Sequence, residues 1–316
     1  MQFRTKIPLT PKTSKIDYQS KILMIGSCFV ENIGDKLDYY KLQNLRNPIG
    51  ILFHPGAIEN FISHAINAYV YSSEDVFYHN ERWHCFEAHS ILSDSNRDEL
   101  LKKLNQNLQL TRNYLTVASH IVITLGTAWV YKNIDTGKLV ANCHKLPQKN
   151  FSKELLSLAE IEGSLHSLIS ALKTINPDLT IIFTVSPVRH LKDGVVENQI
   201  SKAHLIAALH KVINENDSLV NYFPAYEIMM DELRDYRFYA EDMLHPNAIA
   251  INYIWEKFVE VWFSPEAVSV LKQIESIQKS LAHRPFDEHS ISYQTFSRKL
   301  QDKIEDLKKD IPNLKF

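Results

Sequence analysis

The sequence is poor in cysteine, in long apolar runs and in the apolar N-terminal core typical of a secretion signal. Its three cysteines, Cys28, Cys85 and Cys143, are odd in number and irregularly spaced, so a disulfide framework is not expected. No stretch approaches the ~18 apolar residues that span a bilayer. These absences predict a cytoplasmic protein with reduced thiols and no membrane segment.

An excess of charge and the glycine motifs that bind phosphate are also lacking. The 35 basic and 37 acidic residues give a formal net charge of −2, which gives no reason to expect nucleic acid as a partner. Only eight glycines occur, with neither a G-x-x-x-x-G-K loop nor a Rossmann fingerprint, so no cofactor is implied. His54, His89 and His144 are scattered without a short ligand spacing, so no metal site is expected.

Short apolar runs alternate with segments of helical spacing along the chain. The runs predict buried strands at 21–25, 120–125, 179–185 and 219–223. The helical segments are 29–40, 55–69, 96–118, 153–175, 198–214, 246–262 and 265–282, and a hairpin is predicted around Asp135-Thr136-Gly137. This pattern predicts an α/β fold, a three-layer α/β/α sandwich with a mostly parallel sheet of about five strands. The charged tail, with a weak apolar stripe of Ile304, Leu307 and Leu314, is expected to be an exposed C-terminal helical extension.

Small and polar residues follow three of the predicted strands. These are Gly26-Ser27, Gly126-Thr127 and Ser186-Pro187. The carboxyl ends of parallel strands meet at one edge of the sheet, which is where open α/β sheets bind ligands. We therefore expect the functional site at this edge.

Ser27 lies between the first strand and the helix that follows it, and this position has two interpretations. Serine is a favoured N-cap residue, which is the structural interpretation. As a nucleophile, it would have backbone N–H groups and the helix dipole nearby to stabilise an oxyanion. Its neighbour Cys28 is interpreted as a small residue that packs the first helix turn, although a helix N-terminus lowers a thiol pKa and leaves a nucleophilic role open.

Near the other end of the chain, Asp242 precedes His245 by three residues. With this spacing the carboxylate can hydrogen-bond one ring nitrogen and leave the other to take a hydroxyl proton. The structural alternative is that Asp242 caps the helix predicted from Pro246 and that His245 is an ordinary surface residue. Combined with Ser27, the pair predicts a serine hydrolase.

In chain order these motifs resemble the SGNH, or GDSL-like, hydrolase superfamily. The string Gly26-Ser27-Cys28-Phe29-Val30 resembles the motif that names the GSCFA family within it, with Val30 in place of alanine. Other stretches that match this family are 47–50, 125–131, 142–145, 186–190 and the run from 222 through Asp242 and His245. The resemblance covers roughly residues 1–285 as one SGNH-hydrolase-like domain and leaves 286–316 as a charged helical tail.

The resemblance implies a role for each motif residue. Ser27 would be the nucleophile, His245 the general base and then acid, and Asp242 the residue that orients the imidazole. The backbone N–H groups of Ser27 and Gly50 would form part of the oxyanion hole. No cofactor is implied.

One departure from the superfamily concerns a third oxyanion donor. Members use an asparagine in the third motif, which here is Gly126-Thr127-Ala128 and holds none. A replacement is expected, either the Thr127 hydroxyl or Asn142 from the predicted hairpin, and we favour Asn142 because an amide can reproduce the missing geometry.

The predicted reaction is hydrolysis of a short-chain ester through an acyl-serine, with an O-acetyl group on a carbohydrate as the first substrate class. Trp129 and Tyr131 would form a platform for a sugar ring, His144 would contact substrate, and Arg189 would bind an anionic group or pair with a carboxylate. A lipid or thioester hydrolase of the same mechanism is the alternative. A non-catalytic carbohydrate-binding or interaction module on a hydrolase fold is a third hypothesis, suggested by the missing asparagine. The oligomeric state is left open.

Overall fold

The protein is an α/β structure with helices on both sides of a central sheet. The computed structural model describes residues 5–216 and 218–316. The strands there are β1 (Lys21–Gly26), β2 (Gln43–Arg46), β3 (Phe77–His79), β4 (Arg82–His84), β5 (His120–Leu125), β6 (Trp129–Asn133), β7 (Leu139–Val140), β8 (Phe151–Leu155), β9 (Thr180–Val185) and β10 (Val220–Tyr222). The α-helices are α1 (Phe29–Tyr39), α2 (Pro55–Ile66), α3 (Arg97–Leu115), α4 (Leu158–Ile175), α5 (Val195–Asn214), α6 (Ala225–Glu227), α7 (Ala248–Trp262), α8 (Pro265–Leu281) and α9 (Ile291–Asp310).

Five strands form the central sheet in the order β10-β9-β5-β1-β2, and every neighbouring pair is parallel. The chain moves outward from β1 to β2 and then crosses to β5 on the other side of β1. In such sheets the crevice at the point where the order reverses is where ligands bind. The carboxyl ends of β1 and β5 therefore frame the expected site.

Alternate residues of the strands face two separate apolar cores. In β1, Leu23 and Ile25 pack into a core that helices α2 to α5 also supply, whereas Ile22 and Met24 pack into a core shared with α1, α7, α8 and α9. The period of two along the strands thus buries both faces of the sheet. This confirms the predicted three-layer α/β/α sandwich with five parallel strands.

Two local predictions need correction. The predicted helix 153–175 begins only at Leu158, because Ser157 and Glu160 form a capping box there, and Phe151–Leu155 is strand β8, antiparallel to β6. The fifth strand, β2, carries the polar residues Gln43 and Asn44 and lacks the apolar run that marked the other strands. The predicted hairpin is confirmed, since β6 pairs antiparallel with β7.

The predicted C-terminal helical extension is present as α8 and α9. The stripe of Ile304, Leu307 and Leu314 is buried in the same core as α1 and α7, so this face of the tail is not exposed. Across 5–216 and 218–316, no helix combines the length and apolar character that crossing a bilayer requires.

Candidate active site

The turn from β1 into α1 is built on a glycine that no other residue can replace without strain. Gly26 has φ +143°, and a Cβ placed on it would lie 2.2 Å from the carbonyl oxygen of Thr124. Its N–H donates to Asn47 Oδ1 over 2.9 Å, and the Asn47 amide donates to Glu31 Oε1 over 2.5 Å. Asn47 and Glu31 thus hold the turn at Gly26 in place.

Ser27 and Cys28 leave this turn in different directions. The N–H of Ser27 donates to Thr124 O over 3.1 Å, which extends the pairing of β1 with β5 by one residue. Its side chain is fully buried, and its Oγ has no hydrogen-bond partner among the residues described. Cys28, at the start of α1, has left the sheet and its Sγ lies 3.6 Å from His245 Nε2. In this structure the Cys28 thiol is within hydrogen-bond distance of the imidazole, and the Ser27 hydroxyl is not.

The Asp242–His245 pair is held by bonds within a four-residue turn. His245 Nδ1 lies 2.6 Å from Asp242 Oδ2, and Asp242 Oδ1 accepts the N–H groups of Leu244 (2.9 Å) and His245 (3.0 Å). These two N–H groups, with the imidazole, lower the pKa of Asp242 to about 2. The carboxylate does not cap the next helix, because α7 begins at Ala248 and is capped by Asn247.

A buried lysine that the sequence analysis missed lies beside the thiol. Lys202 on α5 is 1% exposed, and its Nζ donates to Gly126 O (2.7 Å) and Ser186 O (2.8 Å), at the ends of β5 and β9. Burial lowers its pKa to about 7. Burial also raises the pKa of the Cys28 thiol, while Lys202 and the N–H groups of Cys28 and Phe29 oppose this rise. In the sequence, Lys202 could have been noticed as a lysine on the apolar face of a predicted helix.

The predicted oxyanion donors have other partners in this structure. The Gly50 N–H donates to Asn47 O over 2.7 Å within its turn. The Thr127 hydroxyl accepts the N–H of Trp129 and bonds to Ser201 Oγ, both over 3.0 Å. The carbonyl of Asn142 accepts the N–H of His144 over 2.8 Å, and this bond leaves the NH₂ of Asn142 available as a donor.

A cavity of about 650 Å³ lies next to the turn of Asp242 and His245, with Leu244 of that turn in its wall. Its wall includes Leu244 and His190 beside the site, and all of the predicted substrate and donor residues outside the catalytic turns: Thr127, Trp129, Tyr131, Asn142, His144 and Arg189. The structure thus brings these six residues, which are separated in sequence, to one surface.

Several of these six side chains have structural partners as well. The indole N–H of Trp129 donates to Glu197 O, and the Lys153 ammonium lies 4.6 Å from its ring centroid. His144 Nε2 lies 2.7 Å from Cys85 O, and burial lowers the pKa of this histidine to about 4. Arg189 stacks over Tyr239, 5.3 Å from the ring centroid. Tyr131 and Asn142 keep the fewest ties and are the residues of this set best placed to contact a ligand.

No group of three or more His, Cys, Asp or Glu side chains in the described parts of the chain is arranged to hold a metal ion. The polar side chains that meet at the strand ends are instead a thiol, an imidazole, a carboxylate and an ammonium group. Such a set supports proton transfer and nucleophilic attack.

Two family models match the chain, the GSCFA family over residues 21–258 and the GSCFA domain protein, C-terminal domain, over residues 274–316. Among solved structures, the chain is similar to a carbohydrate esterase family 3 from Talaromyces cellulolyticus, with 9% identity, TM-score 0.37 and coverage of 80% of this chain and 98% of that one. It is also similar to an acetyl xylan esterase from the rumen bacterium Butyrivibrio proteoclasticus, with 12% identity, TM-score 0.39 and coverage of 81% and 64%. No curated protein matches the sequence. At such scores the two esterases share no more than a general chain path with this protein.

Proposed function

The chain belongs to the GSCFA family, and from the geometry of its site we propose that it hydrolyses carboxylic esters through a covalent acyl-enzyme on Cys28. The observation that carries this proposal is the line of contacts from Cys28 Sγ to His245 Nε2 (3.6 Å) and from His245 Nδ1 to Asp242 Oδ2 (2.6 Å). A nucleophile, a base and an orienting carboxylate stand in the order of a catalytic triad.

The proton balance follows from the tautomer that Asp242 favours. With its proton on Nδ1, His245 can accept the thiol proton at Nε2, and the thiolate attacks the ester carbonyl carbon. His245 then gives the proton to the leaving alcohol as the C–O bond breaks, and a thioester remains on Cys28. A water that loses its proton to His245 attacks this thioester, releases the carboxylic acid and restores the thiol.

This proposal moves the nucleophile by one residue from the Ser27 that the sequence predicts. The Ser27 hydroxyl is buried and makes no hydrogen bond to a base among the residues described. Cys28 lies at the N-terminal end of α1, where the helix dipole favours a thiolate. Burial raises the pKa of this thiol, and Lys202 opposes that rise.

The cavity next to Leu244 and His190 supports a small substrate. Its volume, about 650 Å³, is within the range of small-molecule sites, and Tyr131 and Trp129 supply aromatic surface in its wall. We therefore keep an O-acetyl ester of a carbohydrate as the first substrate class. A thioester is the second, because a thiol nucleophile exchanges with a thiol leaving group of similar pKa.

The test is to trap the acyl-enzyme with p-nitrophenyl acetate and to locate the acetyl group by peptide mass mapping. We expect one acetyl adduct on Cys28, absent in Cys28→Ala, retained in Ser27→Ala and formed more slowly in His245→Ala. Cys143→Ala is the matched control, since Cys143 is the other partly buried thiol and lies in the cavity wall.

An adduct on Ser27 that disappears in Ser27→Ala would refute the thiol and restore the serine. If the wild type formed no adduct and turned over no ester or thioester, catalysis would be refuted. A non-catalytic binding module would then be the better hypothesis.

A further inference from the structure

The ring nitrogen Nε2 of His190 lies beside Gly126, at the end of β5, without a hydrogen-bond partner. This nitrogen is shielded from solvent, and no partner for it exists among the residues described. The ring stands edge-on to Phe53, with centroids 5.4 Å apart, and a Cβ placed on Gly126 would lie 3.3 Å from Nε2. Because buried polar atoms are nearly always paired, this nitrogen marks a position where a partner atom is expected.

The loop that carries the ring is tied to both sides of the site. The N–H of His190 donates to Asn198 Oδ1 over 2.9 Å, and Asn198 is buried on α5. The N–H of Arg189 makes a longer bond, 3.5 Å, to the carbonyl of Leu244, the residue before His245. The imidazole of His190 is thus held between the end of β5 and the turn that carries the catalytic base.

The surroundings keep this second imidazole uncharged. Burial and the positive charge of Lys202 lower the pKa of His190 to about 4, with a smaller contribution from His245 and an opposing one from Asp193. At neutral pH the ring therefore carries one N–H and no charge. A neutral imidazole can donate a hydrogen bond to a developing oxyanion without competing with His245 for the thiol proton.

We propose that the Nε2–H of His190 donates to the oxyanion that forms when an acyl group is transferred to Cys28. This inference rests on the function proposed above. It supplies the donor that is missing from Gly126-Thr127-Ala128, because the ring nitrogen lies beside Gly126. The hydroxyl of Thr127 already has partners. A donor fixed before the charge develops stabilises the transition state more than the ground state.

The test compares His190→Phe and His190→Gln with the wild type in three reactions. These are acetylation of Cys28 by p-nitrophenyl acetate, acylation by the matching thionoester, and alkylation of Cys28 by iodoacetamide. Alkylation uses the thiol and His245 but forms no oxyanion. It therefore separates a role at the oxyanion from a role in holding the nucleophile or the base.

We expect His190→Phe to slow acetylation roughly 10²-fold or more, as loss of one oxyanion donor does, and to leave alkylation unchanged. His190→Gln should recover part of the rate, since its amide N–H can reach a similar position. The wild type should prefer the ester to the thionoester, because sulfur accepts hydrogen bonds weakly, and this preference should shrink in His190→Phe.

Three results would overturn the inference. Parallel loss of acetylation and alkylation would make His190 a support for the thiol and His245. Unchanged acetylation in both variants would mean that the nitrogen serves no oxyanion. Wild-type protein that is alkylated at Cys28 but never acylated there would refute the proposed function itself, and the role of His190 with it.

Discussion

The two turns that form the site are held in opposite ways. In the β1–α1 turn the side chain of Ser27 is fully buried, and the bonds reach to Thr124 and Asn47, far along the chain. In the turn of Asp242 and His245 the two side chains are 46% and 44% exposed, and the bonds that hold them join residues at most three apart. The position of the nucleophile is therefore a property of the sheet, whereas the orientation of the base is a property of a short sequence.

The largest effect is expected where the exposed turn is broken. In Asp242→Asn the amide oxygen can still accept the two backbone N–H groups, but its NH₂ faces His245 Nδ1 and favours the tautomer with the proton on Nε2. We expect kcat/KM for p-nitrophenyl acetate to fall about 10³-fold or more, with little change in Tm.

Asp235→Asn is the matched control for this change. Asp235 is another partly exposed carboxylate that accepts a local backbone N–H, from Arg237, and it should keep full activity. A loss of several degrees of Tm in Asp242→Asn, along with the loss of activity, would show that the exposed turn stabilises the fold as much as the buried turn does.

The next largest effect is expected from breaking the buried turn. Gly26→Ala would place a Cβ 2.2 Å from Thr124 O at φ +143°. We expect the free energy of unfolding in urea to fall by about 4 kcal/mol, with activity lost in parallel. Gly163→Ala is the control, since nothing lies within 4 Å of the added methyl in α4 and a small gain is expected there. Wild-type stability of Gly26→Ala would show that the turn is not constrained as described.

Acid should destabilise the fold while Asp242 in the exposed turn stays ionised. Burial lowers the pKa of His54, beside the cavity, to about 4. Between pH 6.5 and 4 the unfolded chain therefore binds a proton that the folded chain excludes, and the free energy of unfolding should fall by about 3 kcal/mol as the pH drops through this window. Asp242, with a pKa lowered to about 2, stays ionised throughout.

Urea titrations at several pH values measure this loss. His54→Asn keeps an N-cap for α2, where His54 Nδ1 accepts the N–H of Ala57. It should reduce the pH dependence by the contribution of one histidine, because burial also lowers the pKa of His120, His144 and His190 to about 4. The same slope in the variant and the wild type would assign the loss to other groups.

The smallest effect is expected at the residue that the sequence analysis ranked first. Ser27→Ala removes a buried hydroxyl that has no partner, so we expect kcat to stay within about 3-fold and stability to stay level or rise by up to about 1 kcal/mol. A loss of kcat comparable to that of Cys28→Ala, measured on the same ester, would reverse the assignment of the two residues.

The same contrast explains what could be predicted from the sequence. The spacing of Asp242 and His245 is enough to bring their side chains together, because their contacts are local. The choice between Ser27 and Cys28 depends on where β1 stops pairing with Thr124 of β5, and no local pattern encodes that register. The sequence could not single out His190 as a site residue either. Its ring nitrogen is buried without a partner only because the fold places it beside Gly126.

Secondary-structure predictions failed where the apolar pattern of a strand was weak or where no turn residue separated two elements. Strand β2 was missed because its residues are half-buried and polar, and β8 was read as the start of α4 because no glycine or proline separates them. The three long apolar strands β1, β5 and β9 were predicted closely, since each is nearly or fully buried on both faces.

The packing of the last helix has a consequence for the order in which the protein matures. Helix α1 begins directly after Cys28, and its Ile33 and Leu37 share a core with Ile304 and Leu307 of α9. The ribosome completes α9 only after every strand of the sheet has emerged. During synthesis, α1 therefore gains the part of its core that α9 supplies only after the whole sheet has been made.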